Sequence, residues 1–327
     1  MNDELSNQIS TKVKVGISFP SRSIPRWEEE ALLLEKQLKN NDYDINLFFD
    51  KESNLSQKEQ IDFLINDNCN IIIIATIAPK DIEISINRAK RKGIIIILYD
   101  NLINNIEGID YYITSNDDNW GELQAKYIID KLDINNNEAI FNIELFALSP
   151  EDINSNKYFN QAMKILEPYI ESKRIKIVSF QKEKSQCCIF NSSKDEAKKR
   201  MTLLIKNQKY SPNGLKDSPN NAKIDAILSP NDDISSGIIE ALLEANYNNT
   251  NMPIITGATL SVEAKENINN NLQSMSIYND TNTFTKELVN LINDIVDANY
   301  NNIKIKNNTH NGLINIPTLV IEPTIYN

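Results

Sequence analysis

Histidine, glycine and cysteine are all scarce in this 327-residue chain, which holds 1 His, 8 Gly and 3 Cys. The one histidine, His310, lies in the Asn-rich stretch Asn307-Asn-Thr-His-Asn-Gly312, so most acid-base and nucleophilic schemes lack their usual base. The few glycines form neither a phosphate loop nor a Gly-x-Ser-x-Gly elbow, the turns on which nucleotide enzymes and many hydrolases depend. Cys69 stands alone, and Cys187 and Cys188 are adjacent, a spacing that rarely closes a disulfide and fits no zinc pattern. All three read as free thiols, and no catalysis, metal or cofactor is expected.

Positive charge is also in deficit, with 34 Lys and Arg against 45 Asp and Glu and a net charge of -11. A nucleic-acid partner would need a basic stripe to displace phosphate counterions, so none is expected. No apolar run approaches the roughly 18 residues of a membrane span, so the chain itself should not insert into a bilayer. The polar opening stretch 1–10 carries neither a secretory leader nor a lipid-attachment cysteine. It fits either a cytosolic protein or the mature part of an exported one restarted at a methionine.

What the chain does have is short, β-branched apolar runs. Those at 71–75 and 94–99 read as strands buried on both faces, the mark of a parallel sheet. Strands are predicted at 13–18, 44–49, 70–76, 94–99 and 110–114, alternating with helices. The helix after Trp27 places Ala31, Leu34 and Leu38 on one face. Ser56-Gln-Lys-Glu59 matches a capping box, and the next helix is expected to be capped by Asp81 and to end at Gly93.

The pattern repeats in the second half. Strands are predicted at 139–146, 174–180, 224–229, 253–256 and 273–278, with helices around Trp120, Phe159, Ala197 and 233–245 between them. Ser193-Lys-Asp-Glu196 is a second capping-box match. The stretch 207–222, rich in Asn, Pro and Lys, reads as a surface loop. The fold class is therefore α/β, with two doubly wound parallel-sheet lobes.

In such sheets ligands bind beyond the carboxyl ends of the strands, which puts the expected ligand cleft between the lobes. Arg26-Trp27, Asp100-Asn101, Asn231 to Asp233 and Asn279-Asp280 all follow predicted strand ends. Asp and Asn are common helix caps and turn residues, but their recurrence after strands points to binding. An arginine fork beside an indole suits a sugar, whose hydroxyls accept from planar donors and whose C–H face lies on flat aromatic surface.

These residues, together with Ile97-Leu-Tyr-Asp100-Asn-Leu-Ile-Asn104, Ile109-Asp-Tyr-Tyr-Ile-Thr, Gly121-Glu-Leu-Gln-Ala125, Leu166-Glu-Pro-Tyr169, Lys223-Ile-Asp-Ala226, Ser229-Pro-Asn231-Asp232 and Asn311-Gly312 with Pro317 and Pro323, carry a resemblance. The chain resembles the periplasmic sugar-binding proteins of type I fold, and within them the D-xylose-binding branch. The resemblance implies three hinge crossings, near 114–116, 279–281 and 300–311. It divides the chain into an N-terminal lobe of 12–114 plus 281–301 and a C-terminal lobe of 115–279 plus 302–327. It makes Arg26 a sugar donor, Trp27 a stacking platform, Asp100 a hydroxyl acceptor, and Asn154 and Asn231 amide contacts of the second lobe.

The departures from that branch are specific. Asn101 stands where the branch has Arg, Lys182 near the position of its second aromatic wall, Thr259 at its carboxylate, and Asn279 at its hinge lysine. Tyr278-Asn279-Asp280 instead looks like the hinge contact of glucose and galactose binders.

The resemblance implies an extracytoplasmic monosaccharide receptor, for D-xylose or a related sugar, periplasmic or tethered at the cell surface with its signal or anchor outside this sequence. Its membrane partner would be an ABC permease or a two-component sensor histidine kinase, with the altered pocket leaning toward the sensor. Two alternatives stand beside it. One is the effector-binding core of a lactose-repressor-type regulator, which would need an N-terminal helix-turn-helix that the dozen polar residues before the first strand do not supply. The other is a ligand-free interaction module with a degenerate sugar site.

Overall fold

The structure, a computed structural model, describes residues 12–22, 25–49, 55–76, 82–150, 152, 155–215, 221–298, 305 and 307–327. The chain forms two compact units, one of residues up to Asn116 with Asp280–Glu322, the other of Asp117–Asn279 with Pro323–Asn327.

The first unit opens with β1 (Lys14–Phe19), α1 (Pro25–Asn40), β2 (Asp44–Phe49), α2 (Gln57–Asn66), β3 (Ile71–Ile74), α3 (Glu83–Arg91), β4 (Ile95–Tyr99) and β5 (Tyr111–Ser115). The second unit holds α4 (Trp120–Lys131), β6 (Phe141–Leu145), α5 (Ser155–Glu171), β7 (Ile175–Lys176), α6 (Lys184–Cys187), α7 (Lys194–Gln208) and β8 (Tyr210–Leu215). It continues with β9 (Ala226–Leu228), α8 (Asp232–Glu244), β10 (Ile254–Ile255), α9 (Val262–Asn269) and β11 (Ser276–Tyr278). The chain then returns to the first unit with α10 (Thr281–Val296), β12 (Asn307–His310) and β13 (Asn315–Ile321), and ends in the second with β14 (Thr324–Tyr326).

In the first unit one sheet runs in the order β12-β13-β5-β4-β3-β1-β2. Its pairs are parallel except β12 with β13. All four isoleucines of β3 are buried because helices cover both faces. Trp27, Ala31 and Leu34 of α1 pack with Phe284, Leu288 and Ile292 of α10 on one face. Ile61, Leu64 and Ile65 of α2 pack with Ile86 and Ala89 of α3 on the other. Each such buried isoleucine contributes about 1.5–3 kcal/mol. The capping box at Ser56 forms, with Glu59 reaching back to the cap's own amide. Asp81, the expected cap of α3, lies outside the described residues.

The placement of β13 corrects the expected lobe boundaries. Residues 307–322 belong to the first unit, because β13 pairs in parallel with β5, Thr318 beside Tyr112 and Ile321 beside Ser115. The chain therefore passes between units at 116–117, 279–280 and 322–323, and the third passage lies beyond the expected 300–311. The reason is backbone pairing: β5 has an open parallel edge, and a strand with alternating burial fills it.

In the second unit the parallel sheet runs β10-β9-β6-β7, and β11 pairs antiparallel with β14. Helices α4 and α5 cover one face through Ile128, Phe159, Ala162 and Leu166. Helices α7 and α8 cover the other through Met201, Leu204, Ile234 and Ile238. Gly121 sets the closeness of α4 and α5, since a Cβ there would lie 2.1 Å from the Tyr158 carbonyl oxygen. The stretch 207–222, expected as a surface loop, instead contains β8, and Tyr210 is buried with its hydroxyl donating to Glu144 at 2.6 Å. The polar composition there hid a strand whose two ends, Tyr210 and Leu215, both bridge to Ala222.

The three cysteines are free, and burial pushes the thiol of Cys187 up to about 12 and that of Cys69 up to about 11. Among the described residues no helix is long and apolar enough to cross a membrane.

Candidate functional site

The carboxyl ends of the strands carry polar groups in each unit, and the two groups are built differently. In the first unit β4 ends at Tyr99, and Asp100 turns out of the strand with φ +68. A short polar side chain tolerates that left-handed conformation better than an apolar one. Its backbone is held by its own N–H donating to Ile113 O at 2.8 Å and its carbonyl accepting from the Tyr112 hydroxyl at 2.8 Å.

This turn brings the Asp100 carboxylate to 3.1 Å from the guanidinium of Arg26, in the first turn of α1. Arg26 also donates to Glu30, one helical turn on, at 2.7 Å. The side chain of Arg26 is 47% exposed, against 14% for Asp100 and 7% for Glu30. Burial works to lower the Arg26 pKa, but the charges of Glu30 and Asp100 outweigh it and push it up. Burial pushes the Glu30 carboxyl up against the pull of Arg26. The result is a fork and a carboxylate side by side at a strand end, with part of the fork still open to solvent.

Two expected neighbours take other roles. Asn101 donates its side-chain amide to the Thr76 carbonyl at 3.0 Å, tying the end of β4 to the end of β3. Trp27, expected as a stacking platform, is only 4% exposed. Its indole meets Phe19 at 5.8 Å and Tyr99 at 6.3 Å between ring centroids, both edge-on, with the Arg26 guanidinium over the ring at 4.8 Å. It is a core residue first, because the inner stripe of α1 runs through it.

The second unit holds a cavity of about 340 Å³ whose lining includes Asp117, Trp120, Asp152, Lys157, Gln161, Asn231 and Thr259. It lies past the ends of β6, β9 and β10, where an open α/β sheet takes its ligands. Asn231 is the N-cap of α8, its Oδ1 accepting from Ile234 N at 2.9 Å. The local capping role and a place in the cavity wall therefore coexist in one side chain.

Thr259 sits at φ +94 and Leu260 at φ +53. A β-branched residue with positive φ is a strained outlier of the kind found at ligand clamps. The buried Asp232 holds this turn, accepting from Ser261 N at 2.9 Å, from the Ser276 hydroxyl at 2.9 Å and from the Gln273 amide at 3.1 Å. Burial raises the Asp232 pKa against these donors. Beneath the cavity, Gln124 donates to Gly257 O at 2.8 Å and accepts from the Tyr158 and Thr256 hydroxyls, locking α4 to α5 and to the end of β10.

The structure thus joins Arg26 with Asp100, and Asn231 with Thr259. Asn279 is one hydrogen bond removed from the cavity wall, donating to Asp117 at 2.8 Å. Asn154 lies outside the described residues. Trp120, Asp117, Asp152, Lys157 and Gln161 are lining residues that sequence reasoning missed. The available signal was the polar run Asn116-Asp-Asp-Asn119 after one strand and Ser149-Pro-Glu-Asp152 after another, both in the position of a ligand loop.

Comparison with known proteins agrees with this architecture. The family described as "Periplasmic binding protein domain" matches residues 15–299. The "Multiple sugar-binding periplasmic protein SbpA" of Azospirillum brasilense is 31% identical over 317 residues, covering 95% of this chain and 85% of that protein. The "D-xylose-binding periplasmic protein" of Haemophilus influenzae is 27% identical over 320 residues, covering 97% and 87%. A solved ABC transporter solute binding protein from Clostridium phytofermentans, with bound beta-D-glucose, superposes with a TM-score of 0.58 at 28% identity, covering 95% of this chain and 93% of that one. By its sequence and by its type I fold, the chain belongs to the periplasmic binding protein family, among relatives that are non-enzymatic sugar-binding receptors.

Proposed function

We propose that this chain is an extracytoplasmic receptor for a monosaccharide, D-xylose or a related sugar, whose bound state is read by a membrane partner. The observation that carries the reading is the Arg26-Asp100 pair, 3.1 Å apart at a strand end. A planar donor fork beside a carboxylate acceptor matches vicinal hydroxyls, each of which donates once and accepts twice. In the second unit by itself, Asn231 and Thr259 bring an amide and a hydroxyl to a cavity wall, and Asn279 donates to Asp117 of the same wall. The periplasmic relatives support the location, and their printed ligands support the sugar class.

The partner is an ABC permease or the sensor domain of a two-component histidine kinase. The departures from the xylose branch at Asn101 in the first unit and at Thr259 and Asn279 in the second favour a sensor, which needs a bound state that shifts an assembly equilibrium rather than high flux.

Calorimetric titration with xylose, ribose, arabinose, glucose and galactose tests the reading. Saturable heat with xylose or one of the other sugars is the expected result. Silence across the panel overturns it and leaves an interaction module without a sugar.

A further inference from the structure

Thr259 and Leu260 both stand at positive φ, +94 and +53, in a turn that lines the second unit's cavity through Ala258 and Thr259. Positive φ strains a β-branched or bulky residue and persists only where the surroundings hold it. What holds this turn is a buried carboxylate. Asp232, 1% exposed, accepts from Ser261 N at 2.9 Å on one oxygen and from the Gln273 amide at 3.1 Å on the other. The Ser276 hydroxyl donates to the same carboxylate at 2.9 Å and itself accepts from Leu260 N at 3.0 Å, so the serine passes the hold on to a strained residue. The backbone runs close against the carboxylate, since a Cβ on Gly257 would fall 2.3 Å from Asp232 Oδ1.

The same residue fixes the neighbouring wall. Asn231, directly before it, caps α8 and lines the cavity, and Asp232 N donates to Ala258 O at 3.1 Å. Backbone and side chain of Asp232 thus set Asn231 and Thr259 at one spacing. Each carboxylate oxygen faces an N–H group that can only donate, and the Gln273 amide cannot turn over without losing its second bond, to Met275 O at 3.0 Å. Only a side chain that accepts at both oxygens satisfies this arrangement. Burying a carboxylate is costly without partners, and here the partners come from the turn itself and from the segment that enters β11. Fixing the groups that meet a ligand through buried hydrogen bonds is what a selective site requires.

Resting on the sugar-receptor reading, we propose that Asp232 is a positioning residue of the site. It does not touch the monosaccharide; it holds Asn231 and the strained Thr259 turn at the spacing that the ligand's hydroxyls meet.

The test titrates the full chain calorimetrically with xylose, ribose, arabinose, glucose and galactose, then repeats the titration on variants with the sugar that binds. Asp232→Asn keeps the shape but sets an NH2 group against one of the two N–H donors in either orientation. It should stay folded by circular dichroism and bind about tenfold more weakly or worse, as expected on losing hydrogen bonds to a charged group. Adding Leu260→Gly, which takes positive φ without strain, should recover about threefold or more of that loss, a rescue that a general loss of packing would not give. Ser276→Ala keeps the carboxylate and breaks its link to Leu260 N, so it should weaken binding about threefold, and it carries the test if Asp232→Asn does not fold. A folded Asp232→Asn protein with affinity within about twofold of the parent overturns the proposal, as does a loss that Leu260→Gly leaves in place. Where Asp232→Asn does not fold, unchanged affinity in Ser276→Ala overturns it. A parent chain that gives no heat with any sugar is a different failure, that of the receptor reading itself, and the proposal falls with it.

Discussion

The guanidinium of Arg26 stands 3.1 Å from the carboxylate of Asp100, an ion pair formed where the first turn of α1 meets the end of β4. Glu30, nearly buried, holds the same guanidinium from the other side at 2.7 Å. One cation thus shares two carboxylates, and the more exposed of the two is free to turn part of its acceptor capacity toward a ligand.

Asp100→Asn separates these roles. Glu30 keeps Arg26 in place, so the fold should persist, while one charged acceptor is lost. Sugar affinity should fall by about tenfold to a hundredfold, as expected for a hydrogen bond to a charged group worth roughly 1.5–3 kcal/mol. Calorimetry of the variant measures this, and an unchanged affinity would confine Asp100 to orienting Arg26.

Trp27→Ala should act on stability before it acts on binding. Removing an indole packed on Phe19 and Tyr99 should cost about 3–5 kcal/mol of unfolding free energy. Urea unfolding followed by circular dichroism reads it directly. A change below about 0.5 kcal/mol, the level of an ordinary surface substitution, would return Trp27 to the role of an exposed platform.

Glu144 gives a pH signature. It is fully buried on β6, accepting from Ser179 N at 3.1 Å, the Ser179 hydroxyl at 2.6 Å and the Tyr210 hydroxyl at 2.6 Å. Burial raises its pKa above the ordinary 4.5 in spite of these donors and of Arg200. The folded chain then binds more protons than the unfolded one as pH rises past 4.5, so this group's contribution to stability falls with rising pH. Measured against Glu144→Gln, the parent protein should lose relative stability as pH rises above the ordinary 4.5. A difference that grows with pH would contradict the sign.

Much of the fold was legible because periodicity reports burial directly. The isoleucine run of β3 could only be a strand covered on both faces, and the Ala31-Leu34-Leu38 stripe of α1 could only face a core. The capping box at Ser56 was readable because it is closed within four consecutive residues. The Tyr210 strand was not, since polar neighbours conceal one buried ring. Nor was the home of β13, because a strand's sequence says that it pairs and not which edge it joins.

The site shows the same division. Residue type and position after strands were enough to single out Arg26, Asp100 and Asn231, because hydrogen-bonding chemistry belongs to the side chain and strand ends are set by local pattern, whereas Thr259 entered only through the family resemblance. The sequence also determined the α/β class, the net charge of -11 and the single histidine. Only the tertiary structure decided which tryptophan is packed away and which lines a cavity, since both open helices of similar pattern and differ in what the rest of each unit places around them. It likewise decided that Asp232 holds the strained Thr259 turn, through donors from residues 261, 273 and 276. Burial and partnership of that kind are properties of long-range packing, which no local stretch of sequence encodes.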